Sequence, residues 1–308
     1  MDNTGQDKFD QEAWEESELE NIRKTYIIHS LIVIIVLIVY GAVAGAIFVF
    51  TITHDMNEIL VRVIEVLLIV IGLYIYYIVA RKMNDSRNQF KSLYKFFLVK
   101  RLIKKSFFNS KYNAYSGFTK EEAELFGIVD KCDYIHAEDY LKAEYNGIIF
   151  EHSDVWVDKR DYEGHSVRAF SGMFMSFDYP EKNIYEMQLY SKRFSHRQYS
   201  TNQMMNFKVN MENVKFNKVC DVYTPEAQDA FYILTPQLME RLTGLFSRFS
   251  ELAIHFYLGR VYVAYKKGNQ DSFDSKSVFT KLSRKMEVEK IQQDIDDIKA
   301  IIDAVRGV

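Results

Sequence analysis

The chain has 308 residues, 48% of them hydrophobic and 15% aromatic, and a formal net charge of −3. That length suits a membrane anchor plus one domain of roughly 200 residues, and the lack of internal repeats or low-complexity tracts excludes a repeat array. The near-neutral charge conceals segregation: Asp2, Asp7, Asp10, Glu12, Glu15, Glu16, Glu18 and Glu20 crowd the start, whereas the stretch Arg81–Lys111 is basic but for Asp85.

Residues 1–24 read as an acidic cytoplasmic segment, with a short helix at most around Trp14, Leu19 and Ile22. Two apolar runs follow, at about 26–52 and 59–80, inside a transmembrane hairpin over residues 25–82. Each run exceeds the roughly 20 residues that a bilayer crossing needs. The link Thr53–Glu58 is too short for a sensory domain. Arg23 and Lys24 precede the first run, a basic stretch follows the second, and the link has no Lys or Arg. Positive residues beside spans stay inside, so both termini are expected in the cytoplasm. The acidic start, the long first run and the missing small-residue cleavage site argue against a signal peptide. The expected location is a bacterial inner membrane, crossed more than once. Cys132 and Cys220 then face a reducing compartment and, outside any CxxC pair, read as free thiols.

After the second run, Phe90, Leu93, Tyr94, Phe97, Leu98 and Arg101 recur at helical spacing. They extend the helix as a basic amphipathic stalk over 83–111, ending near Phe108, with 109–117 reading as a linker. The remaining domain lies within 112–308. Thr119 and Glu122 have capping-box spacing and start a short helix. Stretches 147–157, 167–177 and 184–192 are rich in aromatic and branched residues between turns and read as strands. Phe216, Val219, Val222 and Tyr223 suggest another. Thr224-Pro225 and Thr235-Pro236 each set a hydroxyl cap before a proline at a helix start. Leu238, Leu242, Leu245 and Phe249 form one apolar helix face. Alternation from Leu252 to Leu258, then Gly259, then Val261 and Val263, predicts a hairpin. Val288 to Val305 reads as an amphipathic helix with an acidic, solvated outer face at Asp294, Asp296 and Asp297. Clustered elements favour an α+β fold, with an antiparallel or mixed sheet and flanking helices.

Several stretches together resemble an uncharacterised family of bacterial membrane proteins, the domain of unknown function numbered 3137. They are Glu138-Asp139-Tyr140, Asn146-Gly147-Ile148-Ile149-Phe150-Glu151, and Phe170-Ser171-Gly172-Met173-Phe174, which is similar to the family's F-x-G-x-F strand. Phe216 through Met239 is similar to its F-x-x-x-F-x-V-Y-x-x-D-x-x-E-A-x-Y-I-L-T-P block. There Cys220 stands for the second phenylalanine and Pro225 for the usual polar turn residue. The resemblance covers most of the chain after Arg81 and implies a two-span anchor with a cytoplasmic α+β domain. It implies no activity.

Arg62 and Glu65 lie inside the second apolar run, where ionisable groups mark functional sites by default. Two readings stand: a polar relay or oligomer interface built on Glu65, or a local i,i+3 pair reaching toward the outer surface. Gly41 and Gly45 form a GxxxG that lets helices approach closely, either within the hairpin or between copies. Lys91, Lys95, Lys100, Arg101, Lys104 and Lys105 could meet anionic lipid, each worth roughly 1 kcal/mol near the surface, or could serve topology alone. Nucleic acid is not an expected partner, because no recognition motif accompanies these residues. The seven histidines form no HExxH or similar ligand pair, and no metal or cofactor is expected. Glu151-His152-Ser153-Asp154 spells triad chemistry in a row, but consecutive strand residues face opposite ways. It reads as surface polarity at a strand end. With no P-loop, dinucleotide fingerprint or GxSxG, an enzyme is not expected.

The function expected from the sequence is a membrane-tethered cytoplasmic interaction or scaffold module. Its partners would be membrane lipids and a protein or a second copy of itself. A lipid-headgroup or small-ligand domain is the first alternative, which a concave pocket carrying two or more Lys or Arg would support. A component of a transport complex is the second.

Overall fold

The computed structural model describes residues 3–54, 57–128, 132–161, 163–179, 186–194, 207–249, 251–266, 272–275 and 283–307. The chain divides into two compact units, Met1–Phe97 with Ser275–Glu287, and Leu98–Asp274 with Val288–Val308. Residues 55 and 56 of the link, His196, and the first two residues of the expected 184–192 strand lie outside the described residues.

The first unit is built on two long helices, α1 (Asn3–Thr53) and α2 (Glu58–Tyr94). The acidic start is not a separate segment, because α1 runs unbroken from Asn3 into the apolar run. The reason is a buried stripe that begins ahead of the apolar residues: Glu15, Leu19, Arg23, Tyr26 and Ser30 recur every three or four residues and are all buried. Arg23 carries its charge there in a two-pronged pair with Glu20, at 2.8 and 2.7 Å. Further along, His29 Nδ1 lies 2.8 Å from Ser86 Oγ, and the Tyr40 hydroxyl donates to the Leu68 carbonyl. Tyr40 fills the space that Gly72 leaves open, for a Cβ on Gly72 would sit 2.6 Å from its ring. Tyr94 near the end of α2 donates to Glu287 at 2.8 Å. A π-helical turn, Lys95–Val99, and a short helix α3 (Lys100–Ser106) follow, so the helix ends at Ser106 and residues 108–111 of the expected stalk belong to a strand.

Among the described residues the second unit is a sheet of nine antiparallel strands with helices, the antiparallel form of the expected α+β fold. The strands are β1 (Phe108–Asn113), β2 (Tyr134–Tyr145), β3 (Ile148–Arg160), β4 (Ser166–Asp178), β5 (Glu186–Ser191), β6 (Phe207–Val209), β7 (Cys220–Thr224), β8 (Glu251–Tyr257) and β9 (Arg260–Lys266). Their spatial order is β1-β2-β3-β4-β9-β8-β5-β7-β6. The helices are α4 (Lys120–Glu124), α5 (Val214–Val219), α6 (Ala227–Ile233), α7 (Pro236–Arg248) and α8 (Arg284–Arg306). Two turns set register by the same device. Asn146-Gly147 and Leu258-Gly259 each take positive φ at both residues (49° and 77°, 47° and 76°), the geometry of a two-residue hairpin that follows strand twist.

Local signals hold at several ends. Thr119 and Glu122 form the capping box of α4, with bonds of 3.3 and 2.7 Å, and Thr235 caps α7 ahead of Pro236. Other expectations need correction. Residues 109–117 are not all linker, because β1 pairs with β2 through Lys111, Tyr112 and Asn113. Phe216 belongs to α5, where Asn213 supplies the cap, and β7 starts only at Cys220. Thr224 does not cap a helix. It ends β7, its hydroxyl donating to the Glu186 carbonyl, and Glu226 is the N-cap of α6.

The sheet buries both faces. On one, Phe118 and Phe126 from around α4 pack with Phe170, Phe174 and Tyr262 in the core. The Phe126 and Phe174 rings stack at 3.9 Å. On the other, Phe249 after α7 packs against Tyr265, and Phe273 ahead of α8 packs against His152 and Tyr112. α8 buries Ile291, Ile295, Ile298, Ile301, Ile302 and Val305. Burying an aliphatic side chain of this size is worth about 1.5–3 kcal/mol. Cys132 and Cys220 are buried free thiols.

Candidate functional site

Both α1 and α2 are long and apolar enough to cross a membrane. In their most apolar windows only 6% and 0% of residues are buried, so this surface is not the core of a folded domain. Arg62 and Glu65 come together as the i,i+3 spacing predicts, at 3.5 Å, with the arginine side chain 83% exposed. Gly41 and Gly45 do not pack the hairpin, since a Cβ on either meets no described atom within 4 Å. The close helix approach is made by Gly72 against Tyr40 instead. Of the basic residues, Lys104 and Lys105 are exposed, and Lys91, Lys100 and Arg101 are half-buried. Lys95 is buried and so does not present its ammonium to a lipid surface.

The second unit carries polar groups where the sequence places a solvated surface. His152 is fully buried in mid-sheet, its Nε2 2.8 Å from the Tyr265 hydroxyl. Its Nδ1 has no hydrogen-bond partner among the described residues. Burial pushes its pKa down to about 3, so the ring is neutral. Asp154 is buried on the same side of β3, while Ser153 turns the other way and donates to the Glu138 carbonyl at 2.7 Å. The four-residue run therefore forms no triad, as strand geometry requires. Asp139 sits in a β2 bulge with φ 60° and takes the Tyr112 hydroxyl. Burial, followed by the charge of Asp139, raises the Tyr112 pKa far above its usual range.

Asp294 and Asp297 are likewise buried, and only Asp296 is solvated. Asp294 accepts the Phe273 amide at 3.0 Å and Asp297 accepts Arg248 Nε at 2.7 Å. A carboxylate spaced like a surface residue is thus used to hold a loop in one case and a neighbouring helix in the other. Across the opposite face Glu151 accepts from Tyr140 and Lys142, both at 2.9 Å. Burial alone would raise its pKa, but these bonds hold it below the ordinary value. Among the described residues no group of three or more His, Cys, Asp or Glu is placed to hold a metal ion.

A concave feature of this unit is an open cleft of ≈ 480 Å³ between α7 and α8. Arg241, Gly244 and Arg248 line it from α7, and Ala300, Asp303 and Ala304 from α8. Gly244 and the two alanines leave the room. Arg241 Nε donates to the Ala304 carbonyl at 2.9 Å, which fixes its guanidinium over the C-terminal turn of α8. Asp303 accepts weakly from the Tyr145 hydroxyl at 3.4 Å. Burial raises its pKa despite that bond and the nearby Lys299. Neither arginine stood out in the sequence. The signal present there is Arg241-x-x-Gly244-x-x-x-Arg248, a mid-helix glycine between two cations on a face shared at i,i+3 and i,i+7, matched by Ala300 and Ala304 at i,i+4.

A family model matches the chain from within β4 to the end of α8, over residues 168–306, and its description is DUF3137, a protein of unknown function. This stretch matches the DUF3137 family. The DUF3137 match takes in α7, α8 and the cleft apart from Gly307. It leaves out α1 and α2, and also the Glu138–Tyr140 and Asn146–Glu151 stretches that share in the resemblance. Among curated proteins none matches the chain. A solved structure, the crystal structure of the mycobacterial trehalose monomycolate transport factor A, TtfA, is similar with a TM-score of 0.33 at 7% identity. The alignment covers 64% of this chain and 88% of that one.

Proposed function

We propose that the chain is a membrane-tethered scaffold. In this reading α1 and α2 cross a bacterial inner membrane as a hairpin with both termini inside, and the second unit works in the cytoplasm. The observation that carries it is the almost wholly uncovered apolar surface of the two helices, which in water would be costly at roughly 25 cal/mol per Å². The orientation follows from the basic residues that flank the pair and are missing from the link. The scaffold role draws on exposed aromatics of the second unit. Phe207 on edge strand β6 and Phe231 and Tyr232 on α6, which contacts β6, are 75%, 53% and 63% exposed. Exposed aromatics of this kind are enriched where proteins meet.

The test is labelling of Asp55→Cys by a membrane-impermeant maleimide on intact cells. Both native thiols are buried and give a low background. Labelling without lysis is expected; labelling only after lysis would reverse the topology. The scaffold part is tested by crosslinking in native membranes. A stoichiometric crosslinked species should be lost when Phe207 and Tyr232 are changed to serine, and its persistence would refute their role.

A further inference from the structure

We infer that the cleft between α7 and α8 binds a phosphate group through the guanidinium groups of Arg241 and Arg248. Arg241 carries the argument. Its one hydrogen bond among the described residues goes from Nε to a backbone carbonyl, so among those residues no carboxylate is paired with it and neither terminal nitrogen is taken. The guanidinium lies against Gly307, where a Cβ would sit 2.9 Å from one terminal nitrogen. A guanidinium already fixed at Nε loses little further freedom when it grips an anion.

Arg248 stands two turns on along α7. Asp297 takes its Nε and one terminal nitrogen, leaving the other terminal nitrogen for a ligand. The cleft is within the range of small-molecule sites, about 300–1,000 Å³, and its small residues admit a tetrahedral group. Asp303 completes the lining. Its Oδ1 is shielded from solvent and has no hydrogen-bond partner among the described residues. Its negative charge opposes an anion, so the two guanidinium groups must outweigh it. Two arginines that line one cleft suit the three or four oxygens of a phosphate better than the two of a carboxylate. The phosphate could belong to a phospholipid headgroup or to a soluble phosphate ester.

The experiment is calorimetric titration of the full chain in dodecyl maltoside, a detergent without phosphate. The titrants are inorganic phosphate, glycerol 3-phosphate and a short-chain phosphatidylglycerol. Binding of at least one is expected, and Arg241→Gln should weaken it about tenfold or more, as loss of a charged hydrogen bond does. Gly244→Leu should abolish it by filling the cleft, at a helical position where an added Cβ meets nothing within 4 Å. Asp303→Asn should strengthen binding about three- to fivefold, by removing a carboxylate that faces the anion. That gain in affinity separates a ligand site from a merely structural one. Tighter binding of the lipid than of glycerol 3-phosphate identifies the headgroup as the source, and equal or weaker binding a soluble ester. No binding by the wild type, or wild-type affinity in both Arg241→Gln and Gly244→Leu, overturns the proposal.

Discussion

Acid should loosen the sheet unit through one residue, His152. In the folded chain its ring is sealed from water, and its pKa is pushed down to about 3 from 6.5. In the unfolded chain an imidazole titrates near 6.5. Above that pH both states are neutral and the stability is complete. Between about 6.5 and about 3 only the unfolded chain takes up the proton, so stability falls as pH falls, by about 1.4 kcal/mol per unit. From pH 7 to pH 5 the loss is about 2 kcal/mol, a large part of the roughly 5–15 kcal/mol that holds a domain together. The assay is urea unfolding of the full chain in detergent at both pH values, followed by Trp156 fluorescence. Changing Trp14, the other tryptophan, to phenylalanine isolates that signal. His152→Gln keeps a polar atom for Tyr265 but has no proton to gain. Other titrating groups are common to both proteins, so the difference between the two pH-induced losses reports His152. Equal losses would refute the neutral, buried imidazole.

Arg248→Ala removes the ion pair that Arg248 makes with buried Asp297. It should cost about 2–4 kcal/mol, less than a fully buried pair because the arginine is half-exposed, and Asp297→Asn should cost less by the same urea assay. Gly117→Ala should lower Tm and cost about 1–3 kcal/mol by overpacking, because the new methyl would sit 2.3 Å from the Ala137 Cβ and 2.4 Å from Ser153 Oγ. Gly244→Ala, in open space on a helix, should instead stabilise by about 0.5–1 kcal/mol. In the helix pair, Gly72→Leu displaces Tyr40 and should sharply reduce disulfide formation between cysteines placed at His29 and Ser86. Gly41→Leu should leave that crosslink unchanged, and equal effects of the two would contradict the observed packing.

The sequence speaks plainly where one residue type has one cheap conformation. Thr119 with Glu122, Thr235 before Pro236, and Gly259 after an alternating run each mark their element because the alternative geometry costs hydrogen bonds or backbone strain. It is misleading where tertiary partners decide. Asp294 and Asp297 have the spacing of a solvated face, yet the Phe273 amide and Arg248 meet them there. Lys95 repeats with the other stalk lysines but is buried. Thr224-Pro225 copies a helix start but ends a strand, because its hydroxyl is spent on the Glu186 carbonyl. β1 carries Asn, Ser and Lys and is a strand only because the β2 edge is open to it. The cleft was not legible because its cations sit on α7 and its floor on α8, far apart in the chain.

The sheet order sets a timetable for synthesis. β4 and β5 follow each other in sequence but are separated in space by the hairpin β8–β9. Until residue 266 has left the ribosome, the meander β1–β4 and the group β5, β7 and β6 are two fragments. Each offers an unfilled edge where hydrogen bonds to a stray strand can form. At ordinary elongation rates, the wait between finishing β4 and finishing β9 is about 4–18 s. A nascent chain of this design depends on shielding of those edges during that interval, and truncation before β9 would leave both open for good.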